Sequence, residues 1–191
     1  MTVYSIALFL HIVGALLVFV TLAVEGIALR LLRRANTLEE ARSAAALLRL
    51  NRIVGPISAF GVLIPGLYMT ATTWGWIPWI LIALGAWALI AVFGAVNGIR
   101  IVALERNLSG ESGPAAQAVR ARTEDPVFVI SWFTRAGLAL GVIFLMTVKP
   151  DLAGAAIAIV VAAAAGVGLG LAVTNRAAGR QTNGATQDRA A

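Results

Sequence analysis

Residues 3–29 form the stretch that decides the fold, and they read VYSIALFLHIVGALLVFVTLAVEGIAL. A hydrocarbon core about 30 Å thick is crossed by about 20 apolar residues in helical form. This run exceeds that length, and His11 and Glu25 are its only basic and acidic side chains. In lipid every backbone N–H and C=O needs an internal partner, so such a run is helical. The sequence therefore opens with a predicted transmembrane helix.

Four more apolar stretches follow, at about residues 53–73, 77–96, 127–148 and 152–173. The 191-residue chain is 60% hydrophobic and 13% charged, whereas soluble domains carry about 25% charged residues. We therefore predict an all-α integral membrane protein in which residues 1–173 form one domain of five transmembrane helices. The polar, Gly- and Ala-rich tail over 174–191 has little to bury and is expected to be disordered.

The basic residues predict an orientation for this bundle. Thirteen of the 15 cations lie after the first helix, after the third helix or in the tail. Cytoplasmic loops carry the excess of Lys and Arg, so the N-terminus is expected outside and the C-terminus in the cytoplasm. Arginine outnumbers lysine 14 to 1, which is typical of a GC-rich bacterium and indicates the inner (plasma) membrane. Trp74, Trp76 and Trp79 then lie at the outer interface, which aromatic side chains favour.

Composition also excludes several kinds of site. The chain has no cysteine, which rules out disulfides, thiolate metal sites and cysteine nucleophiles. Its single histidine cannot form a multi-histidine metal site within one chain. No catalytic residue is assigned, and an enzyme is not expected.

The net charge of +6 lies in the predicted cytoplasmic segments, so the expected partners are the bilayer and a homo-oligomer or larger membrane complex, not nucleic acid.

His11 and Glu25 define a polar line on the first helix. They are 14 residues apart, nearly four turns, and share a face with the small residue Gly14. We expect this face to point into the bundle, because ionisable groups at membrane depth rarely face lipid. His11 is either a ligand for haem or metal, or a proton carrier, or else a packing residue bonded to another helix's carbonyl. The packing interpretation is preferred.

Arg135 lies about nine residues into the fourth helix and needs a partner or a water-filled cavity. Glu25 is the only acidic residue at a similar depth, so an ion pair between the first and fourth helices is predicted. The alternative is that Arg135 extends to the cytoplasmic interface and Glu25 is solvated there. Arg135 also shares a face with Lys149. The two can bracket an anionic ligand, but the preferred interpretation is that Lys149 anchors the helix at the outer interface.

Small residues predict where helices pack closely. Gly94 and Gly98 form one small-xxx-small pattern in the third helix, with Asn97 beside them, and Gly166 and Gly170 form another in the fifth helix. With Gly14 of the first helix, these four glycines are assigned to helix packing.

Three short segments carry a resemblance to known families. Residues 10–15 (LHIVGA), 65–70 (PGLYMT) and 134–150, which begin TRAG and end MTVKP, resemble a family of bacterial integral membrane proteins of unknown function. The first helix is also distantly similar to that of the copper resistance protein D and membrane protoporphyrinogen oxidase families. In those families a first-helix histidine is associated with haem or metal, so the resemblance implies such a role for His11.

Two functions follow as expectations. The first is a binding, carrier or accessory protein that uses the buried polar line and has no assigned cofactor. The alternative is a haem- or metal-binding redox membrane protein that uses His11, with haem b as its cofactor. Because there is one histidine, a second axial ligand would come from another copy of the chain or from Met69 or Met146.

Overall fold

The computed structural model describes residues 2–110 and 126–187, and all regular structure within them is helical. The helices are α1 (Val3–Arg34), α2 (Leu38–Met69), α3 (Pro78–Gly110), α4 (Pro126–Val148) and α5 (Leu152–Gln187). Each contains a segment that is long and apolar enough to cross a membrane. The prediction of five such helices is therefore confirmed.

The second helix is longer than its apolar stretch because it has its own cap. The Thr37 hydroxyl accepts a hydrogen bond from the backbone N–H of Glu40 (3.2 Å), and the Glu40 carboxylate accepts one from the N–H of Asn36 (2.7 Å). These bonds satisfy donors that the first helical turn leaves free. A single continuous helix therefore runs from Leu38, and Pro56 and Pro65 lie inside it.

Two helices also continue past their predicted ends. Helix α3 extends beyond residue 96 to Gly110, and α5 extends beyond residue 173 to Gln187. Residues 174–187 of the predicted tail are helical in the structure, and residues 188–191 lie outside the described residues. Once a helix exists, each added residue gains a backbone hydrogen bond without a new nucleation cost. The helix can therefore continue beyond its apolar segment.

One end of the bundle is rich in tryptophan and has two special backbone positions. A π-helical turn over Thr70–Trp74 ends α2, where the Gly75 N–H donates to the Thr70 carbonyl (2.8 Å) at a φ of +73° that glycine tolerates. Lys149 ends α4 at φ +51°, and its ammonium lies 4.1 Å from the centre of the Trp74 ring. The Trp74 indole also donates to the Tyr4 hydroxyl at 3.3 Å.

These residues identify the two ends of the molecule. We call the end that carries Tyr4, Trp74 and Lys149 the tryptophan end, and the opposite end, with Arg52 and Arg100, the arginine end. Large apolar side chains cover the outside between them: Phe9, Leu16 and Val20 of α1 are all exposed. Exposed apolar side chains along the helices are compatible with a membrane protein.

The predicted packing glycines divide into two groups. A Cβ on Gly14 would lie 2.5 Å from the backbone carbon of Gly61 on α2, and one on Gly166 would lie 2.6 Å from the Phe133 carbonyl oxygen on α4. A Cβ on Gly170 would lie 2.7 Å from the Ile130 Cα. These three glycines therefore allow close backbone contact between α1 and α2 and between α4 and α5.

The two glycines of α3 behave differently, because neither lies against another helix backbone in the described part of this chain. Their assignment to helix packing stays a prediction. A Cβ on Gly98 would meet nothing within 4 Å, and one on Gly94 would face only the Arg135 side chain, with Nη1 at 3.4 Å. The reason is that this side of α3 borders an internal cavity, so there is no helix backbone for the glycines to approach.

Candidate functional site

Three helices contribute one polar side chain each to a buried cluster near the arginine end. Glu25 of α1, Asn97 of α3 and Arg135 of α4 are 3%, 1% and 7% exposed. Arg135 Nη2 donates to Glu25 Oε1 and forms an ion pair with it. Asn97 Nδ2 donates to the same oxygen at 3.3 Å. We call these three residues the polar cluster.

Local packing explains how the arginine reaches the glutamate. Trp132, three residues before Arg135, lies against Gly26, where a Cβ would come 2.7 Å from the indole ring. The indole N–H donates to the Leu22 carbonyl on α1 at 2.9 Å. The Trp132 contact therefore holds α1 and α4 together beside the ion pair. Gly94 on α3 leaves room for the guanidinium group.

Two groups of the polar cluster keep unused hydrogen-bonding capacity. Asn97 Oδ1 and Arg135 Nε are buried and have no hydrogen-bond partner within the part of the chain that the structure describes, and the same holds for Ser131 Oγ. The Asn97 amide cannot be turned around to relieve this, because its oxygen would then face the Glu25 carboxylate. A buried polar atom left without a partner costs about 1–3 kcal/mol, so a native structure keeps one for a reason.

The polar cluster borders a cavity of about 430 Å³ at the arginine end. Helices α1, α2 and α3 form most of its wall. Glu25, Asn97 and Arg135 line it together with Arg52 and with apolar side chains. This volume lies in the range of about 300–1,000 Å³ found for small-molecule sites. We call it the arginine-end cavity.

His11 lies apart from the polar cluster and is bonded to a different helix. It is 9% exposed, and its Nδ1 lies 2.8 Å from the Val62 carbonyl oxygen of α2. A carbonyl oxygen only accepts, so Nδ1 carries the hydrogen of this bond. His11 Nε2 lies 3.4 Å from Met146 Sδ on α4. The carbonyl bond is the one that the packing interpretation of His11 predicts.

The contact between His11 and Met146 is chemically unusual. With the hydrogen on Nδ1, the neutral imidazole presents a lone pair at Nε2, and a thioether sulfur has no hydrogen to offer it. Two electron-rich atoms thus face each other. A doubly protonated ring would donate to the sulfur, at the cost of a charge at membrane depth. An electron-poor group placed between the two atoms satisfies both without that charge.

A second cavity of about 340 Å³ opens beside this contact at the tryptophan end. Its lining includes His11, Met69, Met146 and Lys149, together with several tryptophans. The only histidine of the chain and both methionines after Met1 therefore share one cavity. We call it the tryptophan-end cavity.

The structure groups the sequence-derived candidates in a way that residue spacing did not show. Glu25 and Arg135 meet, but the polar line of α1 serves two cavities rather than one. Lys149 and Arg135 line different cavities, so they do not bracket a single ligand. The small-xxx-small pattern places Asn97 among packing glycines. An amide side chain at the same depth as the Glu25 carboxylate also indicates a hydrogen bond between the two, and the structure contains that bond.

Comparison with known proteins adds no assignment. No protein-family model matches the chain, and no match is found among curated proteins or solved structures. The function is therefore argued from the two cavities and the side chains that line them.

Proposed function

We propose that this chain is a bacterial inner-membrane protein that binds a small polar molecule in the arginine-end cavity. The observation that carries the proposal is a pair of buried atoms, Asn97 Oδ1 and Arg135 Nε, that have no hydrogen-bond partner among the described residues. Both residues line a cavity of ligand size. A few convergent polar groups in a mainly apolar cavity are typical of a binding site.

The chemistry of the cavity narrows the class of ligand. Arg135 Nε–H is an unused donor and Asn97 Oδ1 an unused acceptor on residues that line the cavity, so a ligand that reaches both atoms carries an acceptor and a donor. Arg135 and Glu25 neutralise each other, so a ligand held by the polar cluster is neutral or zwitterionic and not strongly anionic. The wall also contains the polar residues Thr21, Asn51 and Ser58, and its apolar part fits a short hydrocarbon body. Primary amides, amino acids and small alcohols have these properties.

For orientation we propose that the arginine end faces the cytoplasm and the tryptophan end faces outward. The support is the positive-inside rule applied to the segments that carry the arginines. In intact cells an impermeant thiol reagent is then expected to label Thr73→Cys and Asp151→Cys. Ser112→Cys, which lies outside the described residues, is expected to stay unlabelled, and its labelling would contradict the orientation.

The binding proposal predicts a ligand-dependent gain of stability. A bound ligand at 100 times its Kd stabilises a protein by about 2.7 kcal/mol, so binders from a panel of amides, amino acids and alcohols should raise the unfolding temperature of the purified protein. Asn97→Leu removes the acceptor and should abolish the gain. Gly98→Ala, which lines the same cavity without polar contact, is the matched control and should retain it. No shift with any of the three classes, and no bound small molecule by native mass spectrometry, would contradict the proposal.

A second candidate function rests on the contact between His11 and Met146. Metal–nitrogen and metal–sulfur bonds of about 2.0 and 2.3 Å span the observed 3.4 Å only at a bent angle of roughly 100° at the metal. Axial ligands on opposite faces of haem would be about 4.3 Å apart by the same bond lengths. The geometry therefore favours a bare ion over haem between these two residues, and thioether with imidazole suits univalent copper.

This second candidate predicts stoichiometric metal binding. Purified protein loaded with Cu(I) under reducing conditions should retain about one ion per chain by elemental analysis. His11→Ala should abolish retention and Met146→Leu should weaken it. Phe144→Leu, an exposed position on the same helix that does not line this cavity, serves as the control. Equal and negligible metal in all four proteins would leave His11 as a packing residue bonded to the Val62 carbonyl.

A further inference from the structure

The two cavities lie at opposite ends of the bundle and are separated by a thin layer of apolar side chains. A small void of about 30 Å³ lies within this layer. Val18 and Ile90 line both the void and the arginine-end cavity, whereas Val62 and Met146 line both the void and the tryptophan-end cavity. Trp87 of α3 lines all three spaces.

A protein that only binds a molecule from one side needs one opening. Here one cavity lies toward each end of the same helices, and each has polar groups next to the apolar layer: His11 on one side and the polar cluster on the other. Polar groups in the middle of a membrane are costly and mark routes for ions and solutes. Carriers place their binding groups near the midplane, with access from either side.

Helix α2 supplies a second, independent observation. It forms part of the wall of both cavities and carries Pro56 and Pro65 in its interior. Proline has no N–H, so neither Pro56 nor Pro65 can donate the helical hydrogen bond to the residue four positions earlier. A helix bends most readily at such positions. The wall shared by the two cavities is therefore the part of the bundle best suited to move.

We propose that the two cavities are the two ends of one route across the membrane and that Trp87 closes this route midway. The route carries the small polar molecule of the arginine-end cavity, and to that extent the inference rests on the proposed binding function. In the present structure the indole and its apolar neighbours separate the polar groups of the two sides.

Because the chain has no native cysteine, single cysteines can report access to each cavity. Ala83 lines the tryptophan-end cavity and Ala91 the arginine-end cavity, both on α3. Ala88 lies between them on the same helix. It is exposed, as Ala91 is, but lines none of the three spaces, and it is therefore the matched lipid-facing control. The probe is a membrane-impermeant cationic methanethiosulfonate, added from one side of proteoliposomes that contain the full chain.

Ala83→Cys is expected to react from outside only, Ala91→Cys from the cytoplasmic side only, and Ala88→Cys from neither side. Adding Trp87→Ala to Ala91→Cys should raise its rate of modification from outside at least tenfold, and Trp87→Phe should leave that rate unchanged. Trp87→Leu replaces Trp87→Ala if the latter does not unfold cooperatively.

Two results would overturn the inference. One is a protein with both Ala91→Cys and Trp87→Ala whose cysteine is not modified from outside but still reacts from the cytoplasmic side. The other is equal reaction of Ala88→Cys, which would mean that reagent reaches the helix through lipid. Neither result depends on ligand binding, which is measured separately with Asn97→Leu, so the failure of the route and the failure of the binding site are distinguishable.

Discussion

Replacing Arg135 with leucine is expected to destabilise the protein by about 3–5 kcal/mol, the usual cost of breaking a buried ion pair on one side. The Glu25 carboxylate would keep the Asn97 amide as a donor but would lose its cation at 3% exposure. Glu25→Leu should cost a similar amount. It leaves the Arg135 guanidinium without its anion, and Arg135 is only 7% exposed.

The double substitution should cost less than the sum of the two single ones, because it removes both charges together. The measurement is a double-mutant cycle on thermal unfolding in detergent or lipid. Arg176→Leu is the charge-matched control: Arg176 is exposed on α5, so its removal should change stability by no more than about 0.5 kcal/mol. Strictly additive losses at Glu25 and Arg135 would show that the two side chains do not interact.

Gly14→Ala is expected to destabilise the protein by about 1–3 kcal/mol, the range for adding a methyl group to a packed core. The new Cβ would fall 2.5 Å from the Gly61 backbone carbon, and a backbone cannot rotate away as a side chain can. Helices α1 and α2 would have to separate, which also weakens the bond between His11 and Val62. Gly166→Ala should act in the same way between α4 and α5.

Gly98→Ala is the matched control for this prediction. It makes the same chemical change in a helix, but its Cβ meets nothing within 4 Å. Since alanine in a helix interior is favoured over glycine by about 0.5–1 kcal/mol, Gly98→Ala should be neutral or stabilising. Thermal unfolding of the three variants in one lipid system makes the comparison. Equal effects at Gly14 and Gly98 would show that α1 and α2 are not in close backbone contact.

Much of the fold follows from local sequence. In an apolar solvent every backbone N–H and C=O needs an internal partner, so five apolar stretches of about 20 residues each are expected to be helical. The ion pair was also predictable, because the chain offers one acid and one base within its apolar stretches at a similar depth. The ends of the helices could not be predicted from the apolar stretches. Helices α3 and α5 continue past them, because helix elongation does not require apolar residues.

Other features depend on contacts between residues far apart in sequence. Asn97 is 72 residues from Glu25, and its role appears only when α3 is placed beside α1. The difference between Gly94 or Gly98 and Gly14 is likewise invisible in a small-xxx-small pattern, which marks a face without saying whether a helix or a cavity lies opposite.

Five helices fit to cross a membrane, the charged side chains that they enclose and the end that carries the arginines can all be predicted from the amino-acid sequence. These properties depend on composition along one helix at a time. Packing between helices places His11 and Glu25 at separate cavities, Met146 against the histidine and Trp87 between the cavities. These placements depend on which faces of different helices pack together. Side-chain shape over the whole bundle determines that packing, and no single segment does.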